Sequence, residues 1–315
     1  MKHIIGISHL KFDIVKQKRE YDVFLTALGF EHRCSYIAKQ TLNHASRNYV
    51  YGFKERNELS FAENRQWFED AHYEVLFGDD LEFESWWSGV LINYAINEID
   101  PKPMRLLIDI SSFNRTRLAY LVDGLRKADL RLRIITDFVY SLAKYDPPRE
   151  KPEVNSSLGP VIPAFAGWTD DPDKPPSLVI GLGYEFGRAL GAVEYIQAAD
   201  VWAFLPQSPI EKYLVAVKEM NKLLLEELRD ERKILYPLSS PAYTFSILNS
   251  LVEKLLSTSS PVLVPFGPKM FYLCCLLMGC SYEDVAIWRV SPDQREPALQ
   301  RIESGEVFGI QVVFE

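Results

Sequence analysis

The chain has no run of the roughly 20 uninterrupted apolar residues that a membrane-spanning helix needs. Its first residues, Met1-Lys2-His3-Ile4, hold neither an apolar signal-peptide core nor a cleavage site. A cytoplasmic protein without membrane contact is therefore expected. Basic residues are in deficit, with 35 Lys and Arg against 43 Asp and Glu, a net charge of −8. That balance argues against sequence-independent binding of duplex DNA, which needs many phosphate-neutralising cations. Cysteine is scarce. The four present, Cys34, Cys274, Cys275 and Cys280, lack the spacing of a zinc site and read as buried thiols. His9, His32, His44 and His72 form no ligand pattern, so no metal is expected. There is no Walker loop, nucleophile elbow, His-Glu-x-x-His or deaminase signature, and no cofactor is implied.

What is present is a repetition. Leu28-Gly29-Phe30-Glu31-His32-Arg33 returns as Leu182-Gly183-Tyr184-Glu185-Phe186-Gly187-Arg188, at an offset of roughly 150 residues. Further landmarks keep that spacing. Val50-Tyr51-Gly52-Phe53 answers Val201-Trp202-Ala203-Phe204, Val75-Leu76-Phe77 answers Ile234-Leu235-Tyr236, and Leu106-Leu107-Ile108 answers Val262-Leu263-Val264. A length of 315 residues accommodates two domains of ordinary size. A tandem duplication is the architecture this implies.

The predicted strands are short continuous apolar runs, the pattern of a parallel sheet covered on both faces. Each half contains a βαβ crossover: Leu106–Ile110, Arg117–Lys127 and Leu132–Ile135 in one, Pro261–Phe266, Lys269–Met278 and Val285–Val290 in the other. The expected fold is therefore α/β, two Rossmann-like parallel-sheet domains over residues 1–145 and 177–315. Residues 146–176 are proline-rich and read as a linker, whose inner piece Gly159–Trp168 is apolar enough to pack back on a domain. Pro209–Glu231 reads as one long amphipathic helix with Leu214, Val217, Met220, Leu223 and Leu224 on its apolar stripe. Gly305–Phe314 reads as a closing edge strand.

In open parallel sheets ligands bind beyond the carboxyl ends of the strands, where helix N-termini gather. The segment after Leu106–Ile108 places Asp109, Ser111, Ser112 and Asn114 there, with Arg115 or Arg117 able to offer a planar fork to a phosphate. Caps and an Asp109–Arg115 pair would be the purely structural use of the same residues. Its counterpart carries Gly267, for close backbone approach, and Lys269 at a helix start. Glu31 with Arg33 and Glu185 with Arg188 either pair locally or bring two arginines to the rim of an anionic cleft between the halves. Gly181, Gly183 and Gly187 imitate a dinucleotide fingerprint, one residue too widely spaced.

At Val262-Leu263-Val264-Pro265-Phe266-Gly267-Pro268-Lys269-Met270 the chain resembles the CRISPR-associated Rossmann-fold (CARF and SAVED) nucleotide-sensing domains, which carry glycine and lysine after the fourth strand. Pro268 stands where the family has a small hydroxylated residue, and Phe113 stands where the first half would align its lysine. The resemblance implies a cytoplasmic sensor or regulatory subunit of prokaryotic antiviral defence. It would bind a nucleotide or oligonucleotide second messenger and work with a separate effector protein. A nucleotide-processing enzyme, an N-glycosidase or a phosphodiesterase with Asp109 or Glu31 as general base, is the alternative, and a structural scaffold a third.

Overall fold

The computed structural model describes the chain except for residues 18–19, 55–57, 98–101, 130, 132, 149–154, 168–170, 172 and 293–297. It divides into two units, Met1–Lys144 with Pro297–Glu315, and Tyr145–Glu296.

The first unit runs β1 (Ile4–Leu10), α1 (Phe12–Lys16), β2 (Tyr21–Ala27), α2 (Tyr36–Gln40), β3 (Ala45–Gly52), α3 (Phe61–Asp70), β4 (Glu74–Phe77), α4 (Asp80–Asn97), β5 (Met104–Asp109), α5 (Arg115–Lys127) and β6 (Ile134–Ala143). The second runs β7 (Asn155–Pro160), β8 (Pro176–Gly181), α6 (Arg188–Ile196), β9 (Asp200–Gln207), α7 (Glu211–Met220), α8 (Lys222–Glu227), β10 (Lys233–Pro237), α9 (Pro241–Leu256), β11 (Ser260–Pro265), α10 (Lys269–Ser281) and β12 (Ala286–Pro292). The last strand, β13 (Glu303–Phe314), returns to the first unit.

Two α/β sheets of Rossmann-like type result. The first has the order β1-β13-β6-β5-β2-β3-β4 and the second β10-β9-β8-β11-β12-β7. Starting from β4 and from β10, the orders coincide strand for strand through the sixth position. Five neighbours are parallel in each, and the sixth, β13 or β7, is antiparallel. Leu28 N–H donates to Tyr51 O at 3.0 Å, and Leu182 N–H to Phe204 O at 2.9 Å, one bond at one place in each sheet. The fold is thus a tandem repeat. Several landmarks slip: Tyr51, not Phe53, stands where Phe204 stands, and Ser112 rather than Ser111 stands where Gly267 stands.

The strands Leu106-Leu107-Ile108 and Leu178-Val179-Ile180 are wholly buried, because helices cover both faces. Leu178, Ile180 and Ala203 pack on α6–α8 side chains Ala189, Ala192, Val217 and Leu224. The opposite face lies against α10, in which every residue from Met270 to Cys280 is buried. α4 begins with a capping box: Asp79 Oδ1 accepts from Leu81 and Glu82 N–H, and Glu82 Oε2 accepts from Asp79 N–H.

Three boundaries depart from expectation. The predicted second domain does not reach residue 315, since β13 lies between β1 and β6 in the first sheet and is not an edge strand. An apolar run specifies a strand but not its partner. The proline-rich segment contributes β7 to the second sheet, at an edge where Pro160 costs no ladder bond. Its residues 149–154, 168–170 and 172, including Trp168 of the inner apolar piece, lie outside the described residues. The single long helix over Pro209–Glu231 breaks into α7 and α8 at Asn221, whose side-chain amide donates to Gly183 O at 2.7 Å and Val217 O at 2.8 Å. Leu223, expected on the apolar stripe, is exposed.

Candidate functional site

In both sheets the chain leaves one strand for the left and the next for the right, between β2 and β5 and between β8 and β11. That reversal opens a crevice between the two following loops. The candidate residues fall on these loops: Glu31, Arg33, Asp109, Ser111, Ser112, Asn114 and Arg115 in the first unit, Glu185, Arg188, Gly267 and Lys269 in the second.

In the first unit the crevice is sealed by its own side chains. A Cβ on Gly29 would lie 3.2 Å from Ser112 Cβ, so the two loops touch. Asp109 is fully buried and its Oδ1 accepts from Ser111 N–H at 2.9 Å. Ser111 Oγ accepts from Ser141 N–H at 2.8 Å. Asn114 caps α5, its Oδ1 accepting from Arg117 N–H at 2.6 Å. Arg115 is the first helical residue and is half-buried. Arg117 points elsewhere, its Nε to Asp80 Oδ1 at 3.0 Å and its Nη2 to Gly78 O at 2.5 Å, with the guanidinium 3.4 Å over the Phe53 ring. Burial lowers its pKa, against the pull of Asp80. It cannot present a fork to solvent.

Arg33 is enclosed as well. Its Nε donates to Glu31 Oε2 at 2.6 Å, its Nη1 to Ser141 O at 2.5 Å, and its guanidinium lies 5.4 Å over the Tyr140 ring. Burial would lower its pKa, but Tyr140 and Glu31 outweigh that and hold it above its ordinary value. Arg188 does the same in the second unit, reaching Val290 O at 3.5 Å beside Phe266. Both arginines therefore brace the loop after the first core strand against the fifth. The expectation that they rim an open cleft is corrected, for each is about 5% exposed.

In the second unit the two loops also touch, here through glycine backbone, and neither following helix has a side-chain cap. Gly267 has φ +74°, and a Cβ there would come within 2.5 Å of Leu182 O. A Cβ on Gly183 would come within 2.8 Å of Gly267 N and would overlap the Glu185 carboxylate. α10 follows Pro268, which has no side-chain acceptor, and opens with half-buried Lys269. α6 follows Gly187 (φ +74°), again without a side-chain cap, and opens with Arg188. Neither helix has an acid in its first turn. α3, α4 and α7 all do. Beside this crevice Tyr184 stacks on Tyr213 with ring centroids 6.0 Å apart, and Tyr145 meets Tyr213 edge-on at 5.2 Å.

By helix position Lys269 corresponds to Arg115, since each heads its helix; the expected alignment with Phe113 is corrected. Sequence reasoning missed Asn221, which ties α7 and α8 to the Gly183 loop. A polar amide inside an apolar helical stripe was the signal for it.

Among the described residues no group of His, Cys, Asp and Glu could hold a metal ion, and no helix is long and apolar enough to cross a membrane. All four thiols are buried. Burial pushes the Cys34 and Cys274 pKa values up to about 12 and Cys275 well above its usual range. Since the thiolate is the reactive form, native protein at pH 8 should show no stoichiometric labelling by a thiol reagent, and all four cysteines should react in denaturant. Rapid labelling of one cysteine in the native state would show that its helix opens.

No protein-family model matches the sequence, and no curated protein matches it. Among solved structures the chain is similar to a putative universal stress protein from Pseudomonas aeruginosa UCBPP-PA14 and to a functionally unknown protein from Pseudomonas aeruginosa PAO1. Each is 12% identical, over 89% of this chain and 95% of the other, with a TM-score of 0.27. Neither is described as a CRISPR-associated or antiviral sensor.

Proposed function

We propose that the chain is a nucleotide-ligand-binding protein that senses its ligand without converting it, with the ligand's phosphate at the β8/β11 crevice of the second unit. One observation carries this reading: α10, which opens onto that crevice, begins with half-buried Lys269 after Pro268, with no side-chain cap and no acid in its first turn. A helix N-terminus without a side-chain cap offers its first N–H groups and the positive end of its dipole to an anion. In a chain of net charge −8, this concentrates positive potential at the place where α/β sheets take phosphate. The Tyr184–Tyr213 pair beside it offers an aromatic surface for a base. Glu185, half-buried against Gly183, is the resident negative group, and an incoming phosphate would displace it. In the setting that the family resemblance implies, the chain is a regulatory subunit of antiviral defence with a separate effector.

Sensing is favoured over catalysis by the state of the two candidate bases. Asp109 has no exposed surface and holds Ser111, and Glu31 is engaged by Arg33. A general base must reach the proton it removes.

The test is calorimetric titration with nucleoside mono-, di- and triphosphates and cyclic oligonucleotides, followed by chromatography of the nucleotides. Lys269→Ala should remove a charge-assisted contact of about 1.5–3 kcal/mol, weakening the tightest ligand by about ten-fold or more with the fold intact by circular dichroism. The nucleotides should be recovered unchanged. Arg115→Ala alters the corresponding residue of the sealed crevice and should leave affinity as it was. Loss of affinity in Arg115→Ala alone would move the site to the first unit. A released base or a cleaved phosphodiester, abolished in Asp109→Asn, would establish the enzyme instead.

A further inference from the structure

The two sheets have four edges, and three are protected against pairing with another chain. β4 is four residues long and begins with Glu74, β10 begins with Lys233 and ends with Pro237, and β7 ends with Pro160. Shortness, charge and proline are the ordinary devices that keep an edge solitary. β1 has none of them. It is seven residues long, Ile4-Ile5-Gly6-Ile7-Ser8-His9-Leu10, without proline, lysine or acid. Among the described residues it pairs with β13 alone, and its one irregularity lies between Ile4 and Gly6, leaving Gly6–Leu10 in unbroken register. Ile5 is 51% exposed, and Ser8 and His9 are exposed.

We propose that two copies of this chain associate through β1, antiparallel about a two-fold axis at Ile7, joining two seven-stranded sheets into one. The occupant is a second copy because the strand is complementary to itself. A two-fold axis at Ile7 sets Gly6 opposite Ser8, small against small, and Ile5 opposite His9, with no like charges facing within the strand. In an antiparallel ladder about every second residue directs its N–H and C=O to the open side, so the backbone supplies the bonds and exposed Ile5 the apolar contact. This is independent of where a nucleotide binds.

The experiment is native mass spectrometry and light scattering of the full chain at micromolar concentration. Wild type is expected at twice the 36.2 kDa of one chain. Ile5→Lys, at an exposed position, should weaken association about ten-fold or more, and Ile5→Lys with His9→Glu should restore it, because the new charges face each other only in this register. Hydrogen exchange of wild type is the second measurement and needs no variant: amides of residues 4–10 should exchange more slowly as concentration rises. A monomeric wild type, an Ile5→Lys dimer of undiminished affinity, or exchange in residues 4–10 independent of concentration would each overturn the proposal.

Discussion

Replacing Arg33 with alanine is expected to destabilise the first unit by about 3–5 kcal/mol, the cost of leaving a partly buried ionic partner and a buried carbonyl without their cation. The arginine is about 5% exposed and serves Glu31, Ser141 O and the Tyr140 ring together. Solvent cannot substitute for it at the carbonyl or the ring, while the Glu31 carboxylate is 20% exposed. Urea denaturation followed by far-ultraviolet circular dichroism measures the loss. Removing both charges at once, with Arg33→Met and Glu31→Gln, should recover part of it, since an apolar chain of similar length keeps the packing and leaves no buried charge behind. A loss below about 1 kcal/mol for Arg33→Ala, the scale of an exposed pair, would show that the arginine is not a brace.

Phe271→Ala should have a comparable effect on the second unit, about 3–5 kcal/mol, from lost apolar transfer and the cavity left behind. The ring is fully buried, stacks on Tyr236 with centroids 4.8 Å apart, and lies 5.2 Å from Phe204. It seats directly on the backbone of Gly181, where a Cβ would approach the ring to 2.5 Å. The notch is as much part of the contact as the ring. Phe271→Leu should therefore cost about 1.5 kcal/mol or less, while Gly181→Ala should overpack the same spot and cost about 1–3 kcal/mol. Calorimetry should place the Phe271→Ala midpoint about 10 °C below wild type. Equal losses for Phe271→Ala and Phe271→Leu would mean that the neighbouring rings collapse into the space.

The repeat was legible in the sequence because a glycine, an aromatic residue, an acid and an arginine recur after corresponding strands. The structure directs the two arginines to carbonyls of corresponding strands and repeats the bond made by Leu28 and Leu182. Strand identity was legible wherever both faces are buried, as in Leu106–Ile108 and Val262–Val264. Partner choice was not. Nothing local in Glu303–Phe314 distinguishes pairing with β6 from pairing with β12, because that choice depends on contacts far apart in the chain. The candidate loops follow corresponding strands in the two halves, but their side chains divide along a line that composition does not draw. Ser111 and Asn114 carry the right atoms for phosphate, yet their oxygens are taken by Ser141 and Arg117 N–H groups. Gly187 and Pro268, at the corresponding helix starts of the second unit, carry no side-chain acceptor.

The position of β13 also bears on how the protein is made. During synthesis β6 is complete about 160 residues before the strand that pairs with it emerges, and the whole of the second unit lies between them. At ribosomal rates of about 5–20 residues per second, that interval is about 8–30 s. For that time the first unit lacks an interior strand, with the facing edges of β1 and β6 both uncovered, while the second unit can already fold to completion. The nascent first unit is therefore the stage at which chaperones would be needed most, and the order of folding on the ribosome runs opposite to the order of the units in the chain.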